Sequence, residues 1–339
     1  MFSFAGTIDL PMVWYALIAT AIFLYVFLDG FDLGIGILFP FAPSEKCRDR
    51  MMSSIAPFWD GNETWLVLGG GGLFAAFPLA YAILMPAFYI PLILMLLGLI
   101  ARGVSFEFRF KAEGKSRQLW NYVFHFGSLI ATLTQGMILG AFVQGVDVTG
   151  RSFSGGAWDW LNAFSVMTGV ALVCGYALLG STWLIMKTED ITREWAGKCT
   201  YYLFGYVVFF MGLVSLCMPL MDTRIKELWF SLPNFYYLQI MPLLCIIMFI
   251  YLWRCLGRGD DYKPFFLTLG IFLMNYIGIG VSTWPWLVPY QVTVQKAAAA
   301  PESQSLLLVG AVVMLPVVLA YTGYCYWVFR GKATTDAGY

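Results

Sequence analysis

Leu28-Asp29-Gly30-Phe31-Asp32-Leu33-Gly34-Ile35-Gly36 and, after a short polar interval, Ser54-Ile55-Ala56-Pro57-Phe58-Trp59-Asp60-Gly61-Asn62-Glu63-Thr64-Trp65-Leu66 place four carboxyl groups in two apolar stretches of helix length. Within each pair the acids stand three residues apart, the spacing that puts two side chains on neighbouring positions of a helix surface. A charged residue at the centre of a spanning helix costs roughly +2.5 to +3.5 kcal/mol on insertion scales, so these acids must face protein or water. By default they mark a proton or cation path. The alternative is a buried ion pair, such as Asp29 with Arg102, that fixes helix register and carries no proton.

The surrounding composition makes the membrane the solvent. The chain has 339 residues, 60% hydrophobic, 12% charged and 18% aromatic, against about 25% charged in ordinary soluble domains. Its mean hydropathy is +0.74. No basic n-region with a small-residue cleavage site precedes the first apolar run, which is therefore read as a spanning helix of the mature chain. Apolar runs long enough to span lie at roughly 12–38, 54–75, 77–101, 118–146, 158–186, 199–221, 237–254, 264–285 and 303–329. The predicted architecture is an all-α integral membrane protein of about nine helices in a single polytopic unit, with short loops and no nucleic-acid partner.

Lysine and arginine set the orientation. With nine spans, 16 of the 20 basic residues fall on the side that holds the C-terminus, leaving Arg151, Arg224, Lys226 and Lys296 on the other. The positive-inside rule then places the N-terminus outside and the C-terminus in the cytoplasm. All four acids come to lie in the cytoplasmic half, where Arg102, Glu107 and Arg109 at the end of the third span form a counter-ion group or mouth.

Redox ligands are scarce. A single histidine, His125, excludes a bis-histidine haem and multi-imidazole copper or zinc sites within this chain. The seven cysteines show no C-x-x-C spacing, and the sixteen methionines read as core filling. No cofactor and no metal are expected on this chain. The glycines around both acid pairs, including Gly69 to Gly72, read as close helix contacts rather than a phosphate cradle. Trp284-Pro285-Trp286 reads as an interfacial aromatic belt, with a flat slot for a quinone ring as the alternative.

The two opening motifs together resemble subunit II of the cytochrome bd family of quinol oxidases. Arg102-Gly103-Val104-Ser105-Phe106-Glu107-Phe108-Arg109, Gln144-Gly145 and Ala320-Tyr321-Thr322-Gly323-Tyr324-Cys325-Tyr326-Trp327 extend the resemblance over essentially the whole chain. The resemblance implies two four-helix bundles plus one peripheral helix. It also implies a heterodimer in the bacterial cytoplasmic (inner) membrane with a subunit I that holds two b-type haems and one d-type haem and oxidises quinol while reducing O2 to water. A small accessory subunit is compatible with it. This chain would be haem-free and not catalytic alone, stabilising its partner and contributing to proton uptake. On the matching positions, Asp60 and Asp29 correspond to acids of the family's proton route, and Trp59 borders it. Asp32, Glu63, Arg102 and Glu107 are weaker candidates, Glu63 because some relatives carry glutamine there. Thr293-Val294-Gln295-Lys296 departs from the family pattern, and the compact length resembles the shorter, cyanide-insensitive branch. A proton-coupled secondary transporter is the alternative from a different class, since intramembrane acids and Gly- or Pro-interrupted helices occur there too.

Overall fold

The computed structural model describes residues 9–333. The chain runs through α1 (Leu10–Leu38), α2 (Glu45–Ser53), α3 (Trp59–Ala76), α4 (Pro78–Ala87), α5 (Tyr89–Lys111) and α6 (Gly114–Gln144). A hairpin of β1 (Val148–Thr149) and β2 (Ser152–Phe153) precedes α7 (Ala163–Lys187), α8 (Asp190–Met221), α9 (Thr223–Phe230), α10 (Asn234–Leu238), α11 (Ile240–Arg258) and α12 (Lys263–Thr283). A second hairpin, β3 (Trp286–Val288) with β4 (Val292–Thr293), leads through α13 (Val294–Ala297) to α14 (Pro301–Val328).

Eight stretches among the described residues are long and apolar enough to cross a membrane: α1, α5, α6, α7, α8, α10 with α11, α12 and α14. The 18-residue α3 is less apolar, because Asp60, Asn62 and Glu63 interrupt it, yet it lies against α1 beside them. The stretch read as one span over 77–101 is two helices that meet at Phe88, with Pro86 and Pro91 on either side of the break. α5 then continues to Lys111, ten residues past the expected end, so Arg102, Glu107 and Arg109 are helical rather than loop residues. The extension is stable because Arg102 and Arg109, two turns apart, both face inward and both find acidic partners.

Local chemistry explains the helix ends. Asp9 caps α1 by accepting from Met12 N, Ser44 caps α2 through Cys47 N, and Asn162 with Ser165 forms a capping box at the start of α7. Gly259 ends α11 in the left-handed conformation at φ 73°.

Around the acids, α1 is enclosed by α3, α6 and α7, with α5 packed along α6. α8, α11 and α12 gather on the far side of α7, and α14 lies on α3 and α1. The approach of α1 to α7 is set by glycine: a Cβ on Gly34 would lie 1.8 Å from the Tyr176 carbonyl oxygen, and one on Gly180 would lie 2.6 Å from the Gly34 backbone. Close backbone approach at small residues is the usual way apolar helices gain contact in a membrane. Above this contact Phe31 stacks on Trp183 with ring centroids 4.1 Å apart, within a core that also holds Leu33, Ile35, Phe39 and Leu184.

Candidate functional site

Asp29 and Asp32 lie one turn apart on α1, both fully buried. From α5, Arg102 reaches between α1 and α3 and is fully buried as well. Its Nη1 donates to Asp29 Oδ1 at 2.6 Å and its Nη2 to Glu63 Oε2 at 2.8 Å. The Glu63 side chain keeps 30% of its surface exposed, so the ion triad runs from the protein exterior to the middle of the helix packing.

Asp32 has a different partner. Asn62 Nδ2 donates to Asp32 Oδ2 at 2.7 Å and, at 3.3 Å, to the Leu28 carbonyl, while Tyr326 Oη donates to Asn62 Oδ1 at 2.9 Å. One asparagine thus joins α1, α3 and α14. Buried polar groups normally have partners, yet several atoms here have none among the described residues: Asp29 Oδ2, Asp32 Oδ1, Arg102 Nε, and the tips of Tyr25, Trp65 and Tyr176. The Tyr176 ring rests on Gly30, where a Cβ would meet it at 2.8 Å, which brings it beside Asp29.

The structure divides the sequence candidates. Asp29, Asp32, Glu63 and Arg102 come together, whereas Asp60 is exposed on the surface of this chain. The helix explains the split: Asp60 and Asn62 are two residues apart, about 200° around the axis, so turning Asn62 toward Asp32 turns Asp60 away. Trp59 is half-buried and stacks on Phe106 of α5 with centroids 4.9 Å apart and planes within 5°. Glu107 is exposed on α5. Asn62, Tyr326, Tyr25 and Tyr176 were not among the candidates. Asn62 sits inside the second acid motif and could have been found there, but Tyr326 is 264 residues away, and no spacing rule connects the two.

A second buried arginine organises the adjoining end of the bundle. Arg109 donates to Asn121 Oδ1 at 2.6 Å, Asp49 Oδ1 at 2.9 Å and Glu45 Oε2 at 3.3 Å, and Arg117 also pairs with Asp49. This ties α2 to α5 and α6, and α2 leads directly into the turn before Trp59.

His125 directs Nδ1 to the Gly36 carbonyl at 3.2 Å and sits edge-on to Phe41. No group of three or more His, Cys, Asp or Glu side chains among the described residues is placed to hold a metal ion. A separate cavity of about 260 Å³ is lined by Gln144, Asp147, Asp159 and Trp160 and does not include the acid cluster.

Comparison with known proteins follows the same outline. A family model described as cytochrome bd terminal oxidase subunit II matches residues 10–329. Cytochrome bd-I ubiquinol oxidase subunit 2 of Escherichia coli (strain K12) is 29% identical over 367 residues, covering 96% of each chain. Cytochrome bd ubiquinol oxidase subunit 2 of Bacillus subtilis (strain 168) is 30% identical over 336 residues, covering 95% of this chain and 96% of the relative. The bd oxidase structure from Geobacillus thermodenitrificans shares the fold, with a TM-score of 0.75 at 16% identity over 95% of this chain and 99% of that one.

Proposed function

The chain belongs to the cytochrome bd terminal oxidase subunit II family, and we propose that its part in the quinol oxidase complex is to stabilise subunit I and to take up protons through the buried acid cluster. It is a multi-pass protein of the bacterial inner membrane. The observation that carries the reading is the cluster itself: Asp29 and Glu63 share one guanidinium, Arg102, and a third carboxyl, Asp32, is buried one turn from Asp29 and held by an amide instead of a cation. An excess of acids over cations in a buried site leaves room for protons that come and go, which a simple ion pair does not.

The positive-inside asymmetry supports an outside N-terminus and a cytoplasmic C-terminus, with the cluster in the cytoplasmic half. Glu63, part exposed, is the mouth. Arg102 links it to Asp29 and holds both carboxylates in place. Asp32, one turn nearer the C-terminal end of α1 than Asp29, has no cation of its own, and Asn62 orients it through the amide. Asp29, Asp32, Arg102, Tyr25 and Tyr176 each keep a buried polar atom without a protein partner among the described residues, and internal water is the usual partner of such groups. Asp60, directed off the surface of this chain, fits a site on the face that meets subunit I, with Trp59 beside it.

A bis-histidine haem does not fit this chain, which has one histidine, and the acid cluster offers no imidazole. On this reading the two b-type haems, the d-type haem and the quinol site belong to subunit I, together with the electron chemistry. The relatives reported above are oxidase subunits, so the transporter reading is not carried forward.

The test uses the purified two-subunit complex in proteoliposomes. Asp32→Asn and Asp60→Asn should each slow quinol-driven oxygen consumption and proton uptake while leaving the haem bands intact. Wild-type turnover and membrane potential in both variants would overturn the proton-path role. Loss of the haem bands instead would assign these acids to assembly.

A further inference from the structure

Helix α14 is poorly anchored for its length. Of its 28 residues only Gln304 is buried, and Pro316 interrupts its middle. At one end Gln304 Nε2 donates to the Ala76 carbonyl at 3.0 Å and Trp14 Nε1 donates to the Gln304 carbonyl at 3.1 Å. At the other end α14 carries Tyr326, whose hydroxyl holds Asn62. Between these points its outward side chains, including Val312, Val317 and Tyr321, are exposed on this chain.

The Tyr326 end is held from α7. Lys187, the last residue of α7 and 5% exposed, donates from Nζ to the Phe329 carbonyl and, at 2.7 Å, to the Gly331 carbonyl. The backbone answers, with Ala333 N donating to the Lys187 carbonyl at 2.7 Å. Lys332 extends the tie to the Thr188 carbonyl at 3.2 Å and to Asp261 Oδ2 at 3.1 Å. Phe329 is the C-cap residue of α14 and Gly331 lies two residues further on, so the lysine ammonium holds the chain as it leaves the helix, at the end where the helix dipole favours a cation. The same Nζ lies 5.7 Å from the centre of the Phe58 ring and 5.5 Å from that of Trp183. Phe58 in turn stacks on Tyr326, centroids 4.4 Å apart and planes within 13°.

We propose that Lys187 is a positioning residue for the acid cluster: by capping α14 from α7 it sets the height and rotation of Tyr326, and through Asn62 the orientation of Asp32. The tie rests on the proton-uptake reading given above. Lys187 touches none of the three acids. It stands at the end of the helix whose Gly180 packs on Gly34, two residues beyond Asp32, so it refers α14 to the same frame that positions α1.

The experiment is a double-mutant cycle in the purified two-subunit complex, with Lys187→Gln, Tyr326→Phe and the pair. Each single variant should lower turnover about tenfold, less than the roughly hundredfold that a full 1 Å misplacement can cost, at unchanged quinol KM and haem content. The double variant should be no slower than either single one, because the two residues act through one contact. Lys187→Arg, which keeps the donor and the charge, should recover part of the rate. If the glutamine variant fails to assemble, the partial loss in Lys187→Arg should vanish in the Tyr326→Phe background, and a loss that persists there overturns the proposal. Hydrogen exchange over residues 320–330 should rise in Lys187→Gln and stay at the wild-type level in Tyr326→Phe. If Tyr326→Phe is slow and the two losses multiply in the double variant, Lys187 does not act through Tyr326, and this proposal alone falls. If Tyr326→Phe turns over at the wild-type rate, Asp32 does not depend on the Tyr326 hydroxyl and Lys187 loses the role assigned to it, while the uptake reading stands.

Discussion

Arg102 of α5 and Asp29 of α1 close an ion pair at 2.6 Å in which neither side chain has any exposed surface. The second guanidinium arm reaches Glu63 of α3, so one side chain holds three helices together. The pair that could have been a purely structural lock is therefore also the inner end of a part-exposed ion triad.

Removal of Arg102 leaves Asp29 buried without its cation. Breaking a buried pair from one side costs about 3–5 kcal/mol. Arg102→Gln should thus lower the thermal midpoint of the purified complex markedly, and adding Asp29→Asn should recover part of the loss. Equal midpoints for Arg102→Gln and the wild type would show that the pair does not hold the bundle.

Asn62→Leu should separate α14 from α1. It deletes the donor to Asp32 and the acceptor for Tyr326, each a buried hydrogen bond whose orphaned partner costs about 1–3 kcal/mol. The expected outcome is reduced oxygen consumption with quinol at normal haem content. Asn62→Gln, with the same groups one methylene further out, should fall between. Unchanged turnover in the leucine variant would mean that Asp32 needs no orientation.

Gly34→Ala tests the α1–α7 contact. The added Cβ would lie 1.8 Å from the Tyr176 carbonyl oxygen, which is backbone and has little freedom to move away. Overpacking of this kind costs typically about 1–3 kcal/mol and sometimes more, so yield and thermal midpoint should drop. Gly71→Ala, on α3 with nothing within 4 Å, should leave the fold of this chain unchanged.

The tie through Asp261 beyond the end of α14 should depend on pH. Burial opposes its ionisation, but hydrogen bonds from Lys332 and Arg193 and their charges outweigh this and hold its carboxyl below the usual range. A carboxyl depressed in the folded state contributes stability above its unfolded pKa, about 3.9, and loses it as pH falls through the folded value. Asp261→Asn should therefore lower the thermal midpoint slightly at neutral pH, by the equivalent of about 0–1 kcal/mol for so exposed a pair. That difference should close below about pH 4. A gap that persists in acid would assign the effect to packing instead.

The helices and their membrane setting were legible because hydropathy and charge add up along a short window. The run from Leu10 to Leu38 needs no partner to be read as a spanning helix, and the acids within it are conspicuous for the same reason. The end of α5 was not legible: Arg102, Glu107 and Arg109 read as the edge of the membrane until their partners Asp29, Glu63 and Asp49 are known. The surroundings of the acids were not legible on the same ground. The resemblance places Asp60 ahead of Glu63, and only the rotation of α3 shows that Asn62 turns inward, Glu63 meets Arg102 and Asp60 lies on the surface of this chain.

By itself the sequence determined that this chain lies in a membrane, that its acids sit on helices and that its motifs match one oxidase subunit, because these are properties of local composition and order. The tertiary structure decided which acid meets Arg102, that Asn62 and Tyr326 complete the cluster, and that Lys187 holds the helix bearing Tyr326. Those outcomes depend on helix rotation and on separations of a few ångströms between segments as much as 264 residues apart. Contacts such as Gly34 against Tyr176 and Gly180 set these distances, and no window along the chain contains both sides of them.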